Sequence, residues 1–144
     1  MPSTRFWTRS DGYPEDVIPP THADLIKQPL IGHLATVRPD GCPQSNPVWF
    51  EWDGEQLRIS ELSSAQKLRN LEAHPHAALS VLDPEDPYRY VEIRLEVTSV
   101  EDDPECTFVD GLAQRYLGRA HAPTHLGDHR VVVAFRPTGF SSAG

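Results

Sequence analysis

The stretch LIGHLATVRPDGCPQSNPVWFEWDGEQLRISEL, residues 30–62, carries three strand signals in succession. LIGHLATV (30–37) reads as a first strand, and PDG (39–41) as a turn with proline at its first corner and glycine at its last. CPQSNPVWFEW (42–52) reads as a second strand. Its Pro43 and Pro47 have no N–H for a ladder, so part of this strand belongs on an edge or at a bulge. Asp53-Gly54 is a two-residue hairpin signal, and EQLRIS follows as a third strand with Leu57 and Ile59 on one face. Adjacent strands joined by such short turns make an antiparallel sheet.

Outward from this core the pattern alternates between helices and strands. SSAQKLRNLEAHP (63–75) predicts a helix capped by Ser63 or Ser64, with Leu68 and Leu71 on one face and Pro75 as its stop. HAALSVLD (76–83) reads as a buried strand and PEDP (84–87) as a loop. In YRYVEIRLEVTSVE (88–101), Val91, Ile93, Leu95, Val97 and Ser99 alternate with Tyr90, Glu92, Arg94, Glu96 and Thr98, the pattern of a half-buried strand. Asp103-Pro104 predicts a helix opening, Phe108, Val109, Leu112, Ala113, Tyr116 and Leu117 its apolar stripe, and Gly118 its end. RVVVAFRP (130–137) is the last strand, after which the tail is expected to fray. Upstream, THADLIKQP (21–29) reads as a short helix capped by Thr21, and residues 1–20 as a loose arm. The expectation is a mainly β domain over 21–140, a six-stranded antiparallel barrel with a few helices that hides its edges.

Composition narrows the function. A net charge of −8 over 144 residues argues against a nucleic-acid partner, which needs a basic face. No apolar run is long enough to span a membrane, and the first residues lack an export pattern, so a cytoplasmic protein is expected. In that compartment Cys42 and Cys106 are expected to stay reduced. His121, His125 and His129 recur every four residues, but Pro123 and Gly127 interrupt any helix that would align them, and no metal site is assigned. No Gly-x-Ser-x-Gly elbow is present, and no catalytic acid or base stands out.

The chemically informative segment is the strand-to-helix passage RISELSSAQKLRNLEAHP (58–75). Small residues open the helix, which leaves its first N–H groups accessible, and Lys67 falls in its first turn. A cation there opposes the helix dipole by about 0.3–1 kcal/mol, and a bound anion such as phosphate explains its placement. A lysine that merely packs its stem on the barrel is the competing reading.

LATVRPDGCPQSNPVWFEWDG (34–54), SSAQKLRNLEAHP, DPEDPYRYVEIRLEV (83–97), RYLG (115–118) and RVVVAFRP together resemble the B branch of the flavin/deazaflavin oxidoreductases, in the pyridoxamine 5′-phosphate oxidase-like split-barrel superfamily. The resemblance implies a six-stranded split β-barrel working as a homodimer, with coenzyme in the interface grooves. It implies that Lys67 grips the coenzyme phosphate, that Ser60, Ser64, Ala65 and Gln66 line the cradle, and that Asn46, Pro47, Val48 and Trp49 lie along the ring system. Tyr88 and Tyr90 would approach from the other subunit. Many members carry arginine where this chain has Ala65, which leaves one cation of a usual pair missing. The coenzyme implied is F420, with FMN as the alternative, and the activity a hydride transfer to a small conjugated organic molecule. A non-catalytic coenzyme- or haem-binding barrel is the rival class.

Overall fold

The computed structural model describes the backbone of residues 5–7 and the full residues 17–119 and 129–144. Eight strands and three helices follow in the order β1 (Arg5–Trp7), α1 (Asp24–Lys27), β2 (Gly32–Val37), β3 (Pro43–Val48), β4 (Glu51–Trp52), β5 (Leu57–Leu62), α2 (Gln66–Ala73), β6 (His76–Leu82), β7 (Tyr90–Asp102), α3 (Thr107–Leu117) and β8 (Arg130–Ala143). The six long strands are those expected; β1 and β4 add three and two residues to the sheet. All pairings are antiparallel, along the path β3-β2-β6-β7-β8-β5-β4, with β1 on β8. The two ends of the path, β3 and β4, are separated in the chain by only Trp49 and Phe50. Two residues span less than about 10 Å, so the sheet must curl back on itself and leaves a seam at this point: a split barrel.

Alternation fixes which side chains fill it. Leu34, Leu57, Ile59, Leu79, Val81, Val91, Ile93, Leu95, Val133 and Phe135 project inward and are buried, while Leu25 and Ile26 of α1, Leu68 and Leu71 of α2, and Phe50 at the seam complete the core. The first strand begins at Gly32 rather than Leu30, and this glycine sits where a Cβ would come within 2.5 Å of the Leu79 side chain. Pro43 and Pro47 lie on β3, which is an edge strand, where missing donors cost least.

Several element ends differ from the sequence reading. The stretch 42–52 is two strands, because the Phe50 N–H turns away from the ladder to the Tyr116 hydroxyl. The β4–β5 turn closes through Asp53 N–H to Gln56 O, so Gly54, at φ +99°, is the first corner and the hairpin centre is Gly54-Glu55, one residue beyond the expected pair. Neither Ser63 nor Ser64 caps α2, whose N-cap is Ala65, and Thr21 does not cap α1. Its hydroxyl pairs with His22 Nδ1 at 2.8 Å instead, and His22 Nε2 reaches Ala143 O at 2.9 Å. α3 opens three residues later than Pro104, after a turn in which Cys106 adopts φ +58°; Asp103 still serves it, accepting the Phe108 N–H at 3.1 Å across the turn.

The tail beyond Pro137 does not fray: β8 runs to Ala143 with Phe140, Ser141, Ser142 and Ala143 buried. The register slips by one between Arg94↔Gly139 and Leu95↔Pro137, a bulge that leaves Thr138 unpaired beside the proline and lets pairing resume. In the opening arm, Arg5–Trp7 pairs with Phe140–Ser142, and Ile18 and Pro19 are buried. No helix among the described residues is long and apolar enough to cross a membrane.

Candidate functional site

Residues of β3, β5, α2, α3 and the start of β8 surround a cavity of about 470 Å³ beside the seam residue Trp49, within the size range of small-molecule sites. One wall is apolar and aromatic: Ile31, Pro47, Val48, Trp49, Val109 and Leu112. The polar lining consists of two contacting pairs, Lys67 with Glu61 and Arg130 with Ser60.

Each polar group is placed by local geometry. Ser60 and Arg130 come from neighbouring strands, two residues apart in register, because Leu62 pairs with Arg130 and Ser60 with Val132. The guanidinium donates to Ser60 Oγ at 3.2 Å. Glu61 has the parity of Leu57 and Ile59, which turns its carboxylate toward the barrel mouth and leaves it only 17% exposed. A carboxylate in such a place needs a partner. Lys67, the second residue of α2, supplies one at 2.8 Å and is itself 13% exposed. A bound anion was the expected reason for a cation that opposes the helix dipole here, and the chain provides an anion of its own beside it. Lys67 nonetheless lines the cavity and does not point into bulk solvent.

α2 is held by a buried polar network. Asn70, fully buried, donates to Thr36 Oγ1 at 2.9 Å and toward Gln44 Oε1 at 3.3 Å, and accepts from Gln66 Nε2 at 2.9 Å. Arg69 curls back onto Ser64 O and Gln66 Oε1. Gln66 and Ser64 are thus engaged in fixing the helix start, and with Ala65 they lie outside the residues lining the cavity. Asn46, on β3, accepts from Gln44 Nε2 at 2.9 Å and is also outside it. Of the residues expected at the site, Ser60, Lys67, Pro47, Val48 and Trp49 are brought together.

Tyr88 and Tyr90 do not join them. Tyr88 is 74% exposed on the β6–β7 loop, its N–H held by Asp86, and Tyr90 pairs in the sheet with Leu82 and Ala143.

Six contributors were not anticipated, Ile31 of the apolar lining among them. Glu61 and Arg130 are charged residues next to strand segments already marked, but the adjacency of β5 and β8 that unites them has no signature in sequence. Leu112 and Val109 were read only as helix stripe. Tyr116 acts behind the wall: its ring stacks on Trp49 at 5.2 Å and 12°, its hydroxyl accepts the Phe50 N–H at 3.1 Å, and it donates to Leu30 O at 2.8 Å. It thereby satisfies backbone at the seam and fixes the indole. Burial pushes its pKa up, so the phenol stays protonated and able to donate.

Among the described residues no three histidine, cysteine or carboxylate groups gather as a metal set; His121 and His125 lie outside the described residues, and His129 pairs with Asp102 at 2.9 Å. Cys42 is exposed and Cys106 half-buried, both unpaired. The donors in the lining, an ammonium, a guanidinium and a hydroxyl, suit a phosphate or carboxylate, and the apolar side chains of Pro47, Val48 and Trp49 suit an aromatic ring. The residues present fit a coenzyme with a ring system and an anionic tail.

A solved structure described as an F420 reductase is 46% identical, with a TM-score of 0.80, and the match covers 85% of this chain and 98% of that one. A conserved hypothetical protein, Rv2991, from Mycobacterium tuberculosis is 23% identical at a TM-score of 0.67, covering 83% of this chain and 81% of its own. HutZ, a haem storage protein from Vibrio cholerae, is 20% identical at a TM-score of 0.60, covering 85% of this chain and 92% of its own; at these last two identities the likeness is of fold. No curated protein matches the chain. The sequence pattern of the pyridoxamine 5′-phosphate oxidase family matches residues 18–140, nearly the whole described barrel, and the chain belongs to that family.

Proposed function

We propose that this protein is an oxidoreductase that binds the deazaflavin coenzyme F420 in the seam cavity and serves hydride transfer between it and a small conjugated organic substrate. The observation that carries the reading is a cavity lined both by apolar residues that include an indole and by two cations, in a chain 46% identical to a protein described as an F420 reductase. The coenzyme supplies the hydride chemistry. The chain's own residues bind and orient. Lys67, with Ser60, holds the phosphate, Pro47, Val48 and Trp49 support the ring, and Tyr116 keeps the indole in place from behind. Asn46, Ser64, Ala65 and Gln66 act from the rim and through the helix start.

The working form is a homodimer in the cytoplasm. Tyr88 and Tyr90 lie away from their own chain's cavity, so a contact between them and coenzyme requires a second copy. Parallel titration of purified protein with F420, FMN and haem, read by deazaflavin fluorescence and by flavin and haem absorbance, tests the assignment. The expected result is binding of F420 at least tenfold tighter than FMN, followed by oxidation of reduced F420 in the presence of a conjugated acceptor. Preference for FMN, or binding of haem alone, overturns it.

A further inference from the structure

The cavity contains two cations, and they are not equivalent. Lys67 is already neutralised by Glu61 at 2.8 Å, in a pair whose members are both more than four-fifths buried. Arg130 donates to a neutral hydroxyl, Ser60 Oγ, and forms no ion pair among the described residues. Counting the charged lining of the cavity as Lys67, Glu61 and Arg130, its net charge of +1 resides on Arg130. α2 offers no second cation: position 65 is alanine, and the helix's other basic residue, Arg69, is turned back onto Ser64 O and Gln66 Oε1.

We propose that Arg130 is the principal electrostatic anchor for the anionic tail of the ligand, and that Glu61 is an internal counter-ion which the incoming anion displaces from Lys67. A guanidinium is suited to this: it stays charged and presents several N–H donors in one plane, so it can retain Ser60 while a phosphate oxygen takes another donor. The carboxylate has the opposite effect. Its charge repels a phosphate arriving at Lys67, so the empty site is stable at the expense of affinity. Ser60 becomes a positioning residue, holding the guanidinium at the cavity rather than in solvent.

The inference rests on the proposed F420 reading, and its test separates the two. F420 and the same deazaflavin with its ribityl chain but no phosphate are titrated, at fixed ionic strength, into wild-type protein and the Arg130→Gln, Arg130→Lys and Glu61→Gln variants. Thermal unfolding confirms that each variant is folded. Arg130→Gln should weaken F420 binding by about tenfold or more while changing the phosphate-free compound by less than about twofold, and Arg130→Lys should recover part of the loss. Glu61→Gln should tighten F420 binding several-fold, by roughly the repulsion removed, and leave the phosphate-free compound unchanged. Equal losses for both compounds in Arg130→Gln, or no loss for either, would overturn the role of Arg130. Weaker F420 binding in Glu61→Gln would overturn that of Glu61. Failure of the wild-type protein to bind F420 at all refutes the coenzyme assignment itself.

Discussion

Replacing Lys67 by methionine keeps the length and apolar stem of the side chain and removes its charge. Two quantities should change. The first is coenzyme affinity, which loses one charge-assisted hydrogen bond to the anionic tail, about 1.5–3 kcal/mol, or roughly 10- to 100-fold in Kd. The loss falls toward the upper end because Glu61, 2.8 Å from the ammonium in the native protein, would be left facing the ligand's negative charge. The second is stability. Exposed ion pairs contribute about 0–1 kcal/mol, whereas breaking a fully buried one costs about 3–5 kcal/mol. With 13% and 17% exposure the Lys67–Glu61 pair lies between these limits, and a cost of about 1–3 kcal/mol is expected. Fluorescence titration with F420 at constant ionic strength measures the first, and urea unfolding without ligand the second. A folded Lys67→Met protein that binds F420 within about twofold of wild type would refute the reasoning, since the lysine would then serve only the carboxylate beside it.

The remaining expectations concern the frame of the site. Tyr116→Phe should destabilise the fold by about 1–3 kcal/mol, because the Phe50 N–H and the Leu30 carbonyl both lose their partner; a melting temperature equal to wild type would contradict the clamp at the seam. Phe140→Ala should cost about 3–5 kcal/mol in chemical denaturation, as for a core aromatic, whereas a frayed tail would tolerate it without change. The pKa of Asp53 is depressed to about 2, first by its bond with Arg58 and then by the Gln56 and Glu55 N–H groups, and Asp24 is depressed chiefly by Arg89. Folded values below the unfolded ones mean stability that is complete above about pH 4 and lost as pH falls toward 2. Urea midpoints measured from pH 5 downward should decline over that window, and Asp53→Asn should flatten the decline.

Much of the frame could be read from residue order alone. The alternation of Val91, Ile93 and Leu95 placed β7, and the prolines of 42–52 narrowed that stretch to an edge or a bulge, of which β3 takes the edge, because both follow from strand geometry and hydrogen-bond donors, which are local properties. What escaped depends on pairing. Pro137 looks like a strand end unless the bulge opposite Leu95 is known, and Trp49-Phe50 looks like continuous strand unless Tyr116, 66 residues away, is seen taking the Phe50 N–H. The site divides the same way. Lys67, Ser60 and the Pro47–Trp49 run lie in segments with readable local character, whereas Arg130 enters only because β8 pairs with β5, and Glu61 turns toward Lys67 only because the strand ends where the helix begins. Gln66 sits in the marked segment, but Asn70 and Arg69 claim its side-chain amide, and Arg69 takes the Ser64 carbonyl.

A crystal structure of the protein grown with F420 tests most directly the claim that the charged lining of the seam cavity receives the coenzyme's anionic tail. The account predicts a phosphate oxygen within hydrogen-bond distance of Lys67 Nζ, with the Arg130 guanidinium on a second oxygen and the Glu61 carboxylate moved away from the lysine. Coenzyme bound elsewhere, or a phosphate in solvent with the Lys67–Glu61 pair intact, would contradict it.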